Sequence, residues 1–258
     1  MRRSVVLEKL RAGKPVLVGS PTPYPSAKLV ELIGLSGYDC VWIDHEHQDM
    51  ADDEIWHMCL ASRATDMDAM VRIRKGEYHT FFRPFETGAN GIMVPHVLTA
   101  DEAHNVIRNA KYAPEGLRGI DGIEAHADHG RQPFDPYRVQ ANRETFVVLQ
   151  IEDAEAVENV EAIAAVPGVD VLFVGPADLS ASLGVIGETG HPRVVAATER
   201  VARAAAAAGI HWGSTCGSSE RYRWLRERGA TFVSWGAAIV GLLGYYSGIV
   251  EEFRAAEA

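Results

Sequence analysis

The chain has 258 residues and carries 25 Lys and Arg against 35 Asp and Glu, a formal net charge of −10. This acidic balance, with no basic tract to offset it, argues against a nucleic-acid partner or a membrane surface, but small anionic substrates respond to local charge and stay open. No apolar run is long enough to span a bilayer, and no signal peptide is evident. The absence of CxxC spacing indicates a reduced, cytoplasmic compartment for the three cysteines, Cys40, Cys59 and Cys216.

Short apolar runs alternate with amphipathic stretches along almost the whole chain, which is the pattern of repeated βα units. The predicted strands cover residues 15–20, 38–44, 69–74, 90–97, 145–152, 169–176, 210–215 and 230–236. Eight such units in a chain of this length predict the α/β class and one closed (β/α)8 TIM barrel over residues 1–258. A doubly wound open sheet is the alternative, but it would use fewer strands, and the first turn, GSPTPYPSA, lacks a GxGxxG motif.

Two segments do not follow this alternation of strands and helices. Residues 113–144 are rich in Gly, His and Asp with little periodicity, so they are predicted to form a long loop or insertion. Residues 239–257 are predicted to form a C-terminal helix with an apolar face, which is compatible with packing on another subunit or on the chain's own barrel.

Ionisable side chains collect where the predicted strands end, and in such barrels the active site lies at the C-terminal ends of the strands. Strand two ends in the run Asp44-His45-Glu46-His47, and strand three carries Arg72 and Arg74 two apart, on one face. Strand five ends in Gln150-Ile151-Glu152-Asp153, and Asp178 follows strand six. We expect these groups to converge on one rim.

Glu152 and Asp178 end neighbouring strands, whose axes lie about 5 Å apart in a parallel sheet. Two carboxylates at that distance repel each other unless one is protonated or a cation lies between them. Oxygen ligands favour Mg²⁺, Mn²⁺ or a similar hard ion. The alternative is helix capping, in which Asp178 caps the turn after strand six and Glu152 begins a helix.

His47 is the candidate general base, because an unperturbed pKa of about 6.5 suits proton transfer near neutrality and Asp44 can orient it. It could also be a surface histidine, or chelate zinc with His45 and a carboxylate, although no third soft ligand has a recognisable spacing.

Arg72 near the core needs an anionic partner. That partner is either a substrate carboxylate or enolate, or a structural ion pair with Glu46 or Glu152. Weaker candidates for the site are Arg74, Arg83, His96, Arg118, His126 and His129.

Several stretches together resemble the HpcH/HpaI aldolase family, class II metal-dependent aldolases that act on pyruvate and related 2-oxo acids. They are GYDCVWIDHEH, GANGIMVPHVLTADEA and, as the longest and most specific block, LQIEDAEAVENVEAIAAVPGVDVLFVGPADLSASLG. The family's metal ligands fall on Glu152 and Asp178, with Mg²⁺, Mn²⁺ or Co²⁺ as the cation. Its base-relay histidine falls on His47, supported by Asp44, and its enolate-stabilising arginine falls on Arg72.

The resemblance also implies contacts to the substrate. Gln150 would touch the 2-oxo acid, and the turn that would hold its carboxylate through backbone amides consists of Gly175, Pro176, Ala177 and Asp178. One departure is His45, where the family usually has Gly; another is Ile73-Arg74, where a Pro usually follows the strand-three arginine. These differences bear on which aldehyde the chain accepts.

The implied activity is reversible cleavage of 4-hydroxy-2-oxo acids into pyruvate, or a related acid such as hydroxypyruvate, and an aldehyde, through a metal-stabilised enolate. Two alternatives stay open: a 2-oxo diacid decarboxylase on the same scaffold, and a catalytically silent barrel that binds a small acid. The resemblance further implies a homo-oligomer, a trimer or hexamer with swapped C-terminal helices.

Overall fold

The computed structural model describes residues 2–257, and its eight strands form one closed parallel barrel in the order β1 to β8. The strands are β1 (Val16–Ser20), β2 (Cys40–Asp44), β3 (Asp68–Arg72), β4 (Gly91–Val94), β5 (Phe146–Ile151), β6 (Val171–Val174), β7 (His211–Cys216) and β8 (Phe232–Ala237). β8 pairs with β1 and closes the ring. All eight predicted strands are present, so the TIM-barrel prediction is confirmed.

Helices follow the strands around the outside of the barrel. They are α1 (Val5–Arg11), α2 (Ala27–Leu35), α3 (Asp52–Ala64), α4 (Tyr78–Glu86), α5 (Ala100–Ala110), α6 (Phe134–Glu144), α7 (Ala154–Glu158), α8 (Val160–Ala164), α9 (Pro176–Ser182), α10 (Pro192–Ala208), α11 (Ser219–Glu227) and α12 (Ala238–Glu257). Gly209 ends α10 with a φ of 71°, the left-handed conformation that a helix C-terminus favours and glycine adopts freely. Among the helices of residues 2–257, none combines the length and apolar character that crossing a bilayer needs.

Two large apolar clusters form most of the core, and a third, small one is described below. The larger lies between the outer face of the strands and the helices, and the smaller fills the barrel interior with side chains such as Met70, Val148 and Phe173. α1 closes the N-terminal end of the barrel, where buried Asp68 accepts hydrogen bonds from Ser4 Oγ (2.6 Å) and the Val6 backbone N–H (3.0 Å). With that end sealed, the opposite rim is the one open to ligands.

Residues 113–144 differ from the predicted loop, because they contain a 3-10 helix, Ala125–Gly130, and the whole of α6. The sequence of α6, FDPYRVQANRE, lacks the continuous apolar stripe that predicts a helix, because only Tyr137, Ala141 and Glu144 are buried. The helix is instead held by the aromatic cluster that Tyr137 forms with Tyr112.

Two of the weaker site candidates, Arg118 and His126, belong to the packing of this segment. Arg118 lies over the rings of Phe85 and Tyr112, with Cζ 5.2 and 4.5 Å from the ring centroids. The His126 ring packs edge-on against Tyr137. His129 is exposed.

The C-terminal helix α12 begins at Ala238, one residue before the predicted start, and none of its described side chains is buried. Many are large and apolar, among them Leu243, Tyr245, Tyr246 and Phe253, each more than 60% exposed. An exposed apolar face of this extent is typical of a protein–protein contact.

The buried imidazole of His126 predicts an acid sensitivity of folding. Burial, with the nearby charge of Arg118, lowers the pKa of His126 to about 4. The unfolded chain therefore binds this proton near pH 6.5 and the folded chain does not, so stability is lost as pH falls from about 6.5 to 4, by up to about 1.4 kcal/mol per pH unit.

Urea unfolding of His126→Gln should show a shallower pH dependence than the wild type. His104→Gln, a change at an exposed histidine of α5, is the control, and equal slopes for wild type and His126→Gln would contradict the prediction.

Candidate active site

The rim formed by the C-terminal ends of the strands, here called the barrel mouth, contains a cavity of 390 Å³. Trp42, Asp44 and Arg72 line one side of it, and Thr215, Cys216 and Ser234 line the other. The cavity is thus bounded by the ends of five neighbouring strands, β7, β8, β1, β2 and β3.

Arg72, the last residue of β3, is held in the cavity wall by two carboxylates. Because Asp44 and Arg72 are register partners on neighbouring strands, Asp44 accepts two hydrogen bonds from the guanidinium, Nε to Oδ1 at 3.0 Å and Nη2 to Oδ2 at 2.7 Å. Arg72 Nη1 lies 3.1 Å from Glu46 Oε2, so the ion pair with Glu46 considered from the sequence is present. The guanidinium also stacks on the Trp42 ring, 4.9 Å from its centroid. Two acidic groups thus face one cation.

Asp44 also shapes the turn that follows β2. Its Oδ1 accepts hydrogen bonds from the backbone N–H groups of Glu46 (3.2 Å) and His47 (3.3 Å). The carboxylate nearest to the His47 imidazole is that of Glu46, with 3.8 Å between Nε2 and Oε2. Asp44 therefore acts on His47 through the backbone, and the imidazole itself is largely exposed at the mouth.

Glu152 follows β5 and is almost completely buried, with 1% of its surface exposed. Its Oε1 accepts a hydrogen bond from the His96 backbone N–H (3.0 Å), and its Oε2 accepts one from Gln150 Nε2 (2.8 Å). Burial raises the pKa of Glu152 to about 7, and the negative charges of Asp178 and Glu46 add to the rise. Asp178 is therefore close enough to affect this carboxyl group.

The Glu152 carboxylate leaves no room for a side chain at Gly175. A Cβ atom at this position would overlap Glu152 Oε2. Gly175 is the N-cap of α9 and Pro176 follows it at the first helical position, so the chain turns over Glu152 before α9 presents Asp178 in its first turn.

Helix capping does not account for the two acidic residues. The N-cap of α7 is Asp153, which leaves Glu152 outside the helix, and the N-cap of α9 is Gly175. A negative charge in the first turn does favour α9, so part of the role of Asp178 is stabilisation of that helix.

The residues present are compatible with a divalent cation held by few protein ligands. Within residues 2–257, no three His, Cys, Asp or Glu side chains are arranged to hold a metal ion. Glu152 and Asp178 offer only oxygen donors, as hard divalent ions prefer, and a cation beside them would offset the burial and the lesser charge repulsion that together raise the pKa of Glu152. Gln150 Oε1 is buried without a partner in the described part of the chain, so one more oxygen acceptor remains beside this pair.

His45 and His47 do not form a zinc pair. His45 lines a separate cavity of 340 Å³ together with Ile55 and His79, between α3 and α4, whereas His47 lies beside Glu46 at the mouth. Desolvation, with the charge of Arg74, lowers the pKa of His45.

Arg74 and Arg83 lie outside the mouth. The expectation that Arg74 shares a face with Arg72 is wrong, because β3 ends at Arg72 and the exposed Arg74 side chain instead donates to His45 O and pairs with Asp49. Arg83 of α4 pairs with Asp52.

Two residues have larger roles at the mouth than their sequence pattern indicated. His96, treated as a weak candidate, contacts Glu152 through its backbone and Asp153 through Nδ1, at 2.9 Å from Oδ2. Glu46, considered only as an ion-pair partner, lies between Arg72 and His47. The only indication of this role in the sequence is the position of His96 after β4, at the same rim as the other candidates.

Comparisons with known proteins agree with this geometry. The model of the HpcH/HpaI aldolase/citrate lyase family matches residues 22–242. A 2-dehydro-3,6-dideoxy-6-sulfogluconate aldolase of Pseudomonas putida is 34% identical over 209 residues, 81% of either chain. A hydroxypyruvate/pyruvate aldolase of Roseobacter denitrificans is 36% identical over 184 residues, 70% of this chain and 72% of that one. The crystal structure of an HpcH/HpaI aldolase from Desulfitobacterium hafniense superposes with a TM-score of 0.90 at 32% identity, covering 96% of this chain and 95% of that one.

The tight approach of Gly175 to Glu152 gives a test of the site. In Gly175→Ala the new Cβ would displace the Glu152 carboxylate, and a shift of about 1 Å in a reacting group can cost roughly 100-fold in rate. We expect at least that loss in kcat/KM for aldol cleavage, with the far-UV circular dichroism spectrum unchanged. Gly190→Ala, where a Cβ meets no atom within 4 Å, is the matched control. Equal activity of the two variants would show that the position of Glu152 does not matter.

Proposed function

The chain belongs to the HpcH/HpaI aldolase/citrate lyase family and is a carbon–carbon lyase, and from this premise we propose a specific reaction for it. The reaction is reversible cleavage of a 4-hydroxy-2-oxo acid into pyruvate, or a related 2-oxo acid such as hydroxypyruvate, and an aldehyde. The observation that carries the proposal is the buried Glu152, whose pKa is raised by burial and by the charges of Asp178 and Glu46. Glu46 in turn contacts Arg72 in the wall of the cavity.

Class II aldolases of this family are generally dependent on a divalent metal. In this chain Glu152 and Asp178 are the residues that would hold Mg²⁺, Mn²⁺ or Co²⁺. When bound, such a cation supplies Lewis-acid polarisation of the 2-oxo group, which acidifies the neighbouring C–H. The hydrogen bonds from His96 and Gln150 keep the Glu152 carboxylate oriented, which lowers the reorganisation needed for binding.

Arg72 is suited to stabilise negative charge on the 2-oxo oxygen of the substrate. Asp44 holds Nε and Nη2 in a two-point contact, which fixes the plane of the guanidinium. The remaining group, Nη1, contacts only Glu46 among these carboxylates, and a substrate oxygen could replace Glu46 there. A donor that is already oriented toward developing charge accelerates the reaction without further reorganisation.

His47 is the proposed general base. It lies at the open end of the mouth beside Glu46, where it can remove a proton from the substrate through a water molecule and return it in the reverse reaction. Asp44 contributes by fixing the backbone of His47, as described above.

The substrate carboxylate has a proposed site in the first turn of α9. Pro176 has no N–H group, so the first backbone N–H groups that α9 itself can offer to a ligand are those of Ala177 and Asp178. Gln150, the buried neighbour of Glu152, would contact the same end of the substrate.

We also propose that the chain forms a homo-oligomer, a trimer or hexamer, through α12. The helix carries nine large apolar side chains that are at least 37% exposed in the single chain, from Ile239 to Phe253. Light scattering should therefore return a mass three or six times 28.1 kDa. A monomeric mass would exclude this use of α12.

Removal of either proposed metal ligand should abolish the reaction. We expect Glu152→Gln and Asp178→Asn to lose Mn²⁺ binding, measured by electron paramagnetic resonance, and to lose at least about 1,000-fold in aldol cleavage while remaining folded. Glu155→Gln, at an exposed carboxylate of α7, is the control.

Analysis of the wild-type products should find aldehyde, whereas CO2 released without aldehyde would indicate a decarboxylase. Wild-type cleavage that survives EDTA would contradict the metal role.

Loss of the His47 imidazole should slow proton transfer more than binding. In His47→Ala we expect exchange of the pyruvate methyl protons in D2O to fall by about 100- to 10,000-fold, with the pyruvate dissociation constant changed only slightly. His45→Ala removes an imidazole two residues away that lines a different cavity, and it should exchange at nearly the wild-type rate. An unchanged exchange rate in His47→Ala would assign the base elsewhere.

A further inference from the structure

In the loop between β4 and α5, His96 contacts Glu152. Its backbone N–H donates to Glu152 Oε1 at 3.0 Å, and its imidazole Nδ1 lies 2.9 Å from Asp153 Oδ2. One residue of this loop is therefore tied to two consecutive residues at the end of β5, by its backbone and by its side chain.

The backbone conformation of His96 is unusual. Its φ is 51°, in the left-handed region, where the Cβ of an L-residue lies too close to the following carbonyl oxygen. Such a conformation persists when surrounding contacts enforce it. Here one contact is the imidazole on Asp153, and another is Lys75, whose Nζ donates to the His96 carbonyl at 2.7 Å and pairs with Glu102 at 3.0 Å.

The conformation has a consequence for Glu152. Each carboxylate oxygen can accept two contacts, and here each already accepts one, from the His96 N–H and from Gln150 Nε2. The two donors fix the rotation of the carboxylate, and each oxygen keeps one lone pair for a further ligand. If the His96 N–H turned away, only Gln150 would hold the group.

We propose that His96 is a positioning residue for the cation site. The contact of its imidazole with Asp153 holds the β4–α5 loop in the left-handed turn that delivers the His96 N–H to Glu152, and so orients Glu152 toward the cation. This inference rests on the proposed function, because it takes Glu152 as a ligand.

The test is the affinity of the intact protein for Mn²⁺ alone, measured from the electron paramagnetic resonance signal of the free ion. His96→Ala and His96→Gly both remove the imidazole, but glycine accepts a φ of 51° without strain. We expect both to raise the Mn²⁺ dissociation constant by about 10- to 100-fold, the usual effect of losing a group that orients a metal ligand. His96→Asn should recover part of the affinity, because Asn tolerates the left-handed region and can donate to Asp153.

The thermal midpoints of these variants, and His104→Ala at an exposed histidine of α5, separate positioning from stability. A midpoint near that of the wild type together with weaker Mn²⁺ binding supports the role. Wild-type affinity in His96→Gly would overturn it, because backbone freedom would then suffice. Tighter binding in either variant would also overturn it, because the imidazole would then act by its charge.

The same titration distinguishes this inference from the proposed function. If the wild type binds Mn²⁺, Glu152→Gln does not, and His96→Gly binds like the wild type, then only the inference on His96 fails. If the wild type binds no Mn²⁺, the proposed function fails and the inference falls with it.

Discussion

The arrangement of the barrel mouth depends on the burial of one carboxylate, Glu152. Burial of a charge in a protein interior is costly unless hydrogen bonds or an opposite charge compensate it. The two hydrogen bonds to Glu152 compensate only in part, since its pKa remains raised to about 7. Gly175 is needed so that the chain can pass over the carboxylate, and α9 then carries Asp178 toward it. A cation beside Glu152 would complete the compensation.

The charges around Glu152 favour the same conclusion. Arg72 is surrounded by Asp44 and Glu46, so its positive charge is already balanced within the wall of the cavity. Glu152 and Asp178 therefore contribute negative charge that Arg72 does not neutralise. An electrostatic potential of this sign attracts a divalent ion, and a small anion that displaced Glu46 from Nη1 of Arg72 would bridge the guanidinium and that ion. A 2-oxo acid carries oxygens for both.

Much of the fold could be predicted because buried parallel strands appear as short apolar runs, and eight of them occur between helical patterns. The prediction did not extend to α6, whose buried residues are few and held by an aromatic cluster, so that no periodic stripe marks the helix. It also misplaced Arg74, because a strand end is set by pairing with the neighbouring strands, and the last hydrogen bond of this kind, from the Ile73 N–H to Met93 O, comes before Arg74.

The sequence by itself determined that the residues at the ends of β2, β3 and β5 lie at one rim, because parallel strands bring their C-terminal ends together whatever the details of packing. Only the tertiary structure decided how these groups pair. Glu46 rather than Asp44 faces the His47 imidazole, and His96 reaches Glu152 from another loop through its backbone. Such pairings depend on loop dihedral angles, like the positive φ of His96, and on side-chain rotamers. Neither leaves a periodic signal in the order of residues along the chain.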